Sequence, residues 1–219
     1  MATTDETTDA PQPITYRLDL GDGWQRIRLD DHAEADVKAY LDAVFASVPA
    51  DAAEGARGLI EARLTTQILA GRAKGGIDFY IPAPNIGAGP LPALTVMAAE
   101  VKIPTTAVPD PADVVARVAA ANPTARTGVI AGMPAVRIDR SAGVDDSVPA
   151  TLDEEDGEDG EPPRSGPRHV EYVVPVAGDA QHRWLSIALT GQAGPGGDEA
   201  KVDEVVAAFD QAVAELAWE

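Results

Sequence analysis

Between Ser141 and Pro163 the chain carries nine acidic residues and no basic one: Asp145, Asp146, Asp153, Glu154, Glu155, Asp156, Glu158, Asp159 and Glu161. Gly157, Gly160, Pro162 and Pro163 are scattered among them. Such a run cannot bury enough apolar surface to offset the entropy of ordering it, so it is expected to be a disordered loop. The flanks are of another kind. Ala135 to Arg140 alternates apolar and polar residues before the run, and Val170 to Val176 is strand-like after it. Whatever this chain folds into must therefore build its sheet around an acidic insertion at about residues 141–168. The reading is a disordered tail over 1–13 and a single domain over 14–219.

The remaining segments alternate between two periodicities. Ile14 to Leu20 and Trp24 to Leu29 flank Gly21-Asp22-Gly23 and read as a β-hairpin. From Ala33 to about Val48, the residues Val37, Tyr40, Leu41, Val44, Phe45 and Val48 recur at helical spacing, with Pro49 as the stop. A second helix is predicted from Asp51 to about Ala73, with Leu59, Ile60, Leu64, Ile68 and Leu69 inward and Gly75-Gly76 ending it. Ile77 to Ile81 and Leu91 to Val101 read as strands joined by a Pro/Gly loop. Asp110-Pro111 predicts a helix start, with Val114, Val115 and Val118 inward, and strands follow at Thr127 to Ala131 and Ala135 to Arg140. After the insertion, Val170 to Val176 and Arg183 to Thr190 predict a second hairpin. A last helix, capped by Asp198, keeps Val202, Val205, Val206, Phe209, Val213 and Leu216 in helical register to the end of the chain. Strands that follow one another without regular βα alternation predict an α+β class, a mostly antiparallel sheet flanked by helices.

Charge narrows the partners. The 17 basic and 36 acidic residues leave a net charge of -19, which repels nucleic-acid backbones and anionic membrane surfaces. No cysteine is present, so thiolate metal sites and disulfides are excluded. The first thirteen residues lack a signal peptide's basic start and apolar centre, and Leu91 to Val101 is too short and too interrupted to span a bilayer. A cytoplasmic location is the expectation.

Motifs that carry chemistry fail on inspection. With Gly160 as the turn of a calcium loop, the third ligand position is Gly157 and the twelfth is Gly166, where a bidentate Glu is needed. Gly194-Pro-Gly-Gly197 lies between a strand and a helix, but Pro195 removes an amide and Asp198 has the wrong charge for phosphate. His32, His169 and His182 fall in unrelated segments without metal-ligand spacing, and no Gly-x-Ser-x-Gly elbow occurs. Trp24, Trp184 and Trp218 are read as core residues. No cofactor, metal or catalytic residue is assigned.

Tyr172-Val-Val-Pro175-Val, Trp184-Leu-Ser-Ile-Ala-Leu and a helix with Phe209-Asp210 closing on Leu216-Ala-Trp218 form a recognisable pattern. Together with Trp24 and Gly132-Met-Pro-Ala-Val-Arg137, it resembles a group of actinobacterial proteins of PsbP-like fold, an α/β/α sandwich. The resemblance implies a fold used mainly for binding other proteins, brings no catalytic residues, and does not account for the acidic insertion. The functional expectation is a non-enzymatic interaction or accessory protein whose acidic loop steers a basic partner. Asp153, Glu154, Glu155, Asp156, Glu158, Asp159 and Glu161 are the candidate docking residues. Two alternatives stand beside it: a small-molecule-binding or enzymatic domain with a site between sheet and helices, and a nucleic-acid mimic. Oligomeric state is left open.

Overall fold

The computed structural model describes residues 13–46, 48, 50–84, 93–103, 110–141, 166–179, 182–193 and 197–219. In chain order the elements are β1 (Tyr16–Arg17), β2 (Trp24–Arg28), α1 (Ala33–Val44), α2 (Ala50–Ala73), β3 (Gly76–Pro82), β4 (Ala93–Val101) and α3 (Pro111–Ala120). Then follow β5 (Ala125–Ile130), β6 (Met133–Asp139), β7 (Arg168–Pro175), β8 (Trp184–Gln192), α4 (Glu199–Ala214) and β9 (Ala217–Trp218).

Seven strands form one sheet in the order β2-β3-β4-β8-β7-β6-β5, and every neighbouring pair is antiparallel. Local chemistry explains several joints. Ala131 and Gly132 both take positive φ, 50° and 78°, which gives a two-residue turn matching the twist of the β5–β6 hairpin. Gly75 ends α2 at φ 84°, and a Cβ there would meet the Glu100 carbonyl oxygen at 2.8 Å, so only glycine fits. Asp110 and Asp198 each accept a hydrogen bond from the amide two residues on, Ala112 at 2.8 Å and Ala200 at 3.0 Å, and so cap α3 and α4.

Strand alternation sends side chains to two covered faces. On one, Val96, Ala98, Val170, Tyr172, Val174, Leu185, Ile187 and Leu189 pack against Val202, Phe209 and Val213 of α4 and against Leu216. The Tyr172 and Phe209 rings meet edge to face at 5.8 Å. The opposite face carries two clusters. Ile27, Phe79 and Ile81 meet Val37 and Leu41 of α1 and Leu64 and Ile68 of α2, while Val136, Ile138, Val173 and Trp184 meet Val114 and Val115 of α3. Among the described residues the architecture is α+β, an antiparallel sheet with four helices on its faces.

Four sequence expectations are corrected. The opening pair of strands is not a hairpin: the turn is present, with the Trp24 amide donating to the Gly21 carbonyl at 3.2 Å, but β1 pairs with β9 and β2 pairs with β3. Ile14 and Tyr16 are drawn instead into the α4 core, a larger apolar contact than a two-stranded ribbon offers. In α2, Leu64 and Ile68 are buried as expected, but Leu59, Ile60 and Leu69 face solvent. α1 stops at Val44, before the predicted Val48. α4 stops at Ala214, because the last residues turn to pair with β1, so Trp218 lies in a strand. The second hairpin forms as expected, as β7 and β8.

Candidate functional site

The charged side chains inside this fold are committed to one another. Asp78, with no exposure, accepts from Arg26 at 2.7 and 2.9 Å and from the Tyr16 hydroxyl. Arg137 holds Asp210 of α4 at 2.9 and 3.1 Å and Asp139 at 3.3 Å, and the Tyr172 hydroxyl donates to the same Asp210 at 2.9 Å. Arg168, 1% exposed, reaches Asp203 of α4 at 2.7 Å and the Gly166 carbonyl at 2.7 Å. Burial first, then the neighbouring carboxylates among other contacts, pushes the Tyr16 and Tyr172 phenols far above their ordinary range. These ties bind the sheet to α4 and to the chain's first strand.

The acidic insertion leaves and returns beside one of these ties. The Arg140 amide donates to the His169 carbonyl at 2.8 Å, and the His169 amide donates to the Ser141 hydroxyl at 3.0 Å, so β6 and β7 are joined up to the root of the insertion. Asp153, Glu154, Glu155, Asp156, Glu158, Asp159 and Glu161 themselves lie outside the described residues.

A cleft of about 450 Å³ opens at the other end of the same strands, where β7 ends, β8 begins and α3 starts. Ile103, Pro175, Val176 and Trp184 form its apolar wall, and Asp110, Asp179, His182 and Arg183 its polar rim. That volume falls within the range of small-ligand sites. Arg183 grips Asp179 through its side chain at 2.8 Å and its backbone amide at 2.7 Å, and stands 3.7 Å from Glu100. Asp110 is occupied in capping α3. His182 is exposed and takes the left-handed backbone at φ 52°, a conformation few residues other than glycine hold. Among the described residues the lining holds no Ser, Thr, Tyr, Cys or Lys.

Sequence reasoning missed a polar strip in the middle of the α1/α2/α3 face, since it depends on strand order. There Ser186 donates to Glu171 at 2.8 Å, Arg140 pairs with the same carboxylate at 2.6 Å, and His169 Nδ1 lies 3.1 Å from the Thr190 hydroxyl. The serine is bonded to a carboxylate and the histidine to a threonine, which is the wrong pairing for a nucleophile and its base. Alternation along β7 and β8 is the one signal that places His169 and Glu171, and Ser186 and Thr190, on a common face.

Among the described residues, the most exposed large apolar side chains are Leu59 and Leu69 of α2 and Val129 of β5. Leu59 is 75% and Leu69 60% exposed, on a 24-residue helix whose contact with its own domain runs through Leu64, Ile68 and Gly71. Gly55, Leu59, Ala62, Thr66, Leu69 and Ala73 all face solvent and follow one another at alternating steps of four and three residues. The Thr66 hydroxyl donates to the Ala62 carbonyl at 2.8 Å, so it is satisfied within the helix and its methyl completes the stripe. Periodicity alone places Leu59 and Leu69 inward, and the structure places them in solvent.

Among the described residues no three His, Asp or Glu side chains converge as metal ligands do, and no helix is long and apolar enough to cross a membrane. Comparison with protein-family models, with curated proteins and with solved structures gives no match.

Proposed function

We propose that this chain is a cytoplasmic, non-enzymatic interaction or accessory domain, a scaffold that presents an apolar helix surface to another protein and steers a basic partner with its acidic insertion. One observation carries the reading: α2 leaves Leu59 and Leu69 in water while burying only a narrow stripe of its own. Exposing two leucines on one helical stripe is unfavourable unless something covers them, and apolar patches rimmed by polar residues mark interaction surfaces. The PsbP-like resemblance belongs to the same proposal. An antiparallel sheet between helices is compatible with it, and that resemblance implies a use in binding other proteins, by analogy of fold alone. The carboxylates Asp153 to Glu161 would raise the encounter rate with a cationic surface, an effect that salt screens.

The test is affinity capture from the native cytoplasm with three baits: the unmodified chain, a Leu59→Glu/Leu69→Glu variant, and a variant lacking residues 145–163. The double variant is expected to lose its co-purifying proteins, and the deletion to lose only those that high salt also releases. If both variants hold everything the unmodified chain holds, the reading is lost.

A second reading, a small-molecule-binding domain, is supported by the 450 Å³ cleft and its Trp184 wall. Tryptophan fluorescence of the unmodified chain and of a His182→Ala variant, titrated with small aromatic and carboxylate fragments, checks it. Saturable quenching that the variant loses would favour it, and no response from any fragment would remove it.

A further inference from the structure

We infer that the outer stripe of α2 is the contact between two copies of this chain, packed antiparallel. The inference rests on the reading of α2 as an interaction surface and names its occupant.

The spacing comes first. Steps of four and three are those of a coiled-coil seam, in which alternate layers interlock with a facing helix. At a rise of 1.5 Å per residue, the stripe from Gly55 to Ala73 gives a seam about 27 Å long. Reversing a second copy and setting the first seam position of each layer against the second of the other brings Leu59 opposite Leu69 of the second copy. The same register sets Ala62 against Thr66 and Gly55 against Ala73, each twice by symmetry. The two most exposed leucines of the helix thus cover each other, and the small residues between them let the backbones approach.

Charge selects the occupant and its direction. Along the helix the sequence runs from acidic (Asp51, Glu54, Glu61) to basic (Arg63, Arg72, then Lys74), while Arg57 is already bound to Asp42 at 2.7 Å. A uniformly basic partner would suit one half of α2 and oppose the other. A reversed copy of α2 suits both halves, and the two helix dipoles also run antiparallel. Arg63 is the one mismatch. It flanks the middle of the seam and approaches Arg63 of the second copy on the same side.

The chain has no cysteine, so introduced thiols report the register directly. Positions 59 and 69 of one helix are about 15 Å apart and cannot bridge to each other. Under mild oxidation a Leu59→Cys/Leu69→Cys variant is expected to form a covalent dimer, whereas Leu59→Cys alone and Leu69→Cys alone are not. Sedimentation velocity should show the unmodified chain passing from monomer to dimer as concentration rises. Leu59→Glu should weaken that association about tenfold or more, and Arg63→Ala should tighten it about twofold by removing a like-charge contact. Circular dichroism of each variant checks that the fold is kept. Linking through Leu59→Cys alone would mean parallel helices and overturn the proposal. So would a chain that stays monomeric at every concentration; if such a chain still lost its captured proteins on Leu59→Glu/Leu69→Glu, the interaction surface would stand and only its occupant would be wrong.

Discussion

α4 and α2 lie on opposite faces of one sheet and are used in opposite ways. The sixteen residues of α4 bury Val202, Phe209 and Val213, and Asp203 and Asp210 fasten it to Arg168 and Arg137 in the strands beneath. The longer α2 sends Leu64, Ile68 and Gly71 inward and carries leucines on its outer side as well. A helix that buries one broad stripe and closes its polar contacts is part of the core. One that divides its apolar residues between two stripes is held by one and available through the other. The distinction is invisible in composition and follows from which leucines the sheet touches.

The largest effect that could break this contrast is at Phe209. Phe209→Ala should cost about 3 to 5 kcal/mol in urea unfolding, while Leu59→Ala and Leu69→Ala, at concentrations where the chain is monomeric, should stay within about 0.5 kcal/mol. Comparable losses at all three would mean that α2 is packed on both sides. Within α2 itself, Leu64→Ala should lower stability by about 2 to 3 kcal/mol against that same negligible change at Leu69, which sharpens the contrast to two faces of one helix. On α4, Asp210→Ala removes the principal partner of a nearly buried guanidinium and an acceptor of the Tyr172 hydroxyl, with an expected cost of about 1 to 3 kcal/mol. A neutral result there would show that Asp139 alone suffices for Arg137.

The smallest and most graded test is optical. Burial raises all four tyrosine phenols, and Tyr16, Tyr80 and Tyr172 lie on the α4 face whereas Tyr40 lies on α1 with burial as its sole cause. A phenol whose folded value is raised contributes stability that is complete below about pH 10 and is lost as pH rises above it. Absorbance of the phenolate should therefore show Tyr40 ionising first. The other three should follow only as circular dichroism reports unfolding. Early ionisation of Tyr16 or Tyr172 would contradict the enclosed α4 face.

These two helices also show what was legible beforehand. In α4 the apolar residues share one stripe, so spacing and burial agree, and only the end of the helix differs from the expectation. In α2, Leu59 and Leu69 keep helical spacing as well as Leu64 and Ile68 do, and spacing does not say which stripe meets the sheet. The first hairpin was inferred from sequence adjacency and a glycine turn, and the competing partner of β1 lies at the other end of the chain. The cleft and the Ser186–Glu171–Arg140 group arise only once β8 is set between β4 and β7. No local pattern encodes that order. The acidic run is visible in the sequence because charge density needs no partner to be seen, and it lies outside the described residues.

The place where β4 meets β8 has a consequence for how the molecule forms. β2 to β4 and β5 to β8 are each made of strands that neighbour one another in the chain, but the seam between the two groups pairs Ala93 with Gln192 and Val101 with Trp184. Within each group the strands pair in chain order, while the seam must close a longer loop than any of them before its bonds are gained. Until it closes, two sheet edges stand open in the middle of what becomes the core, so the vulnerable period of this protein is the wait for β8 to find β4.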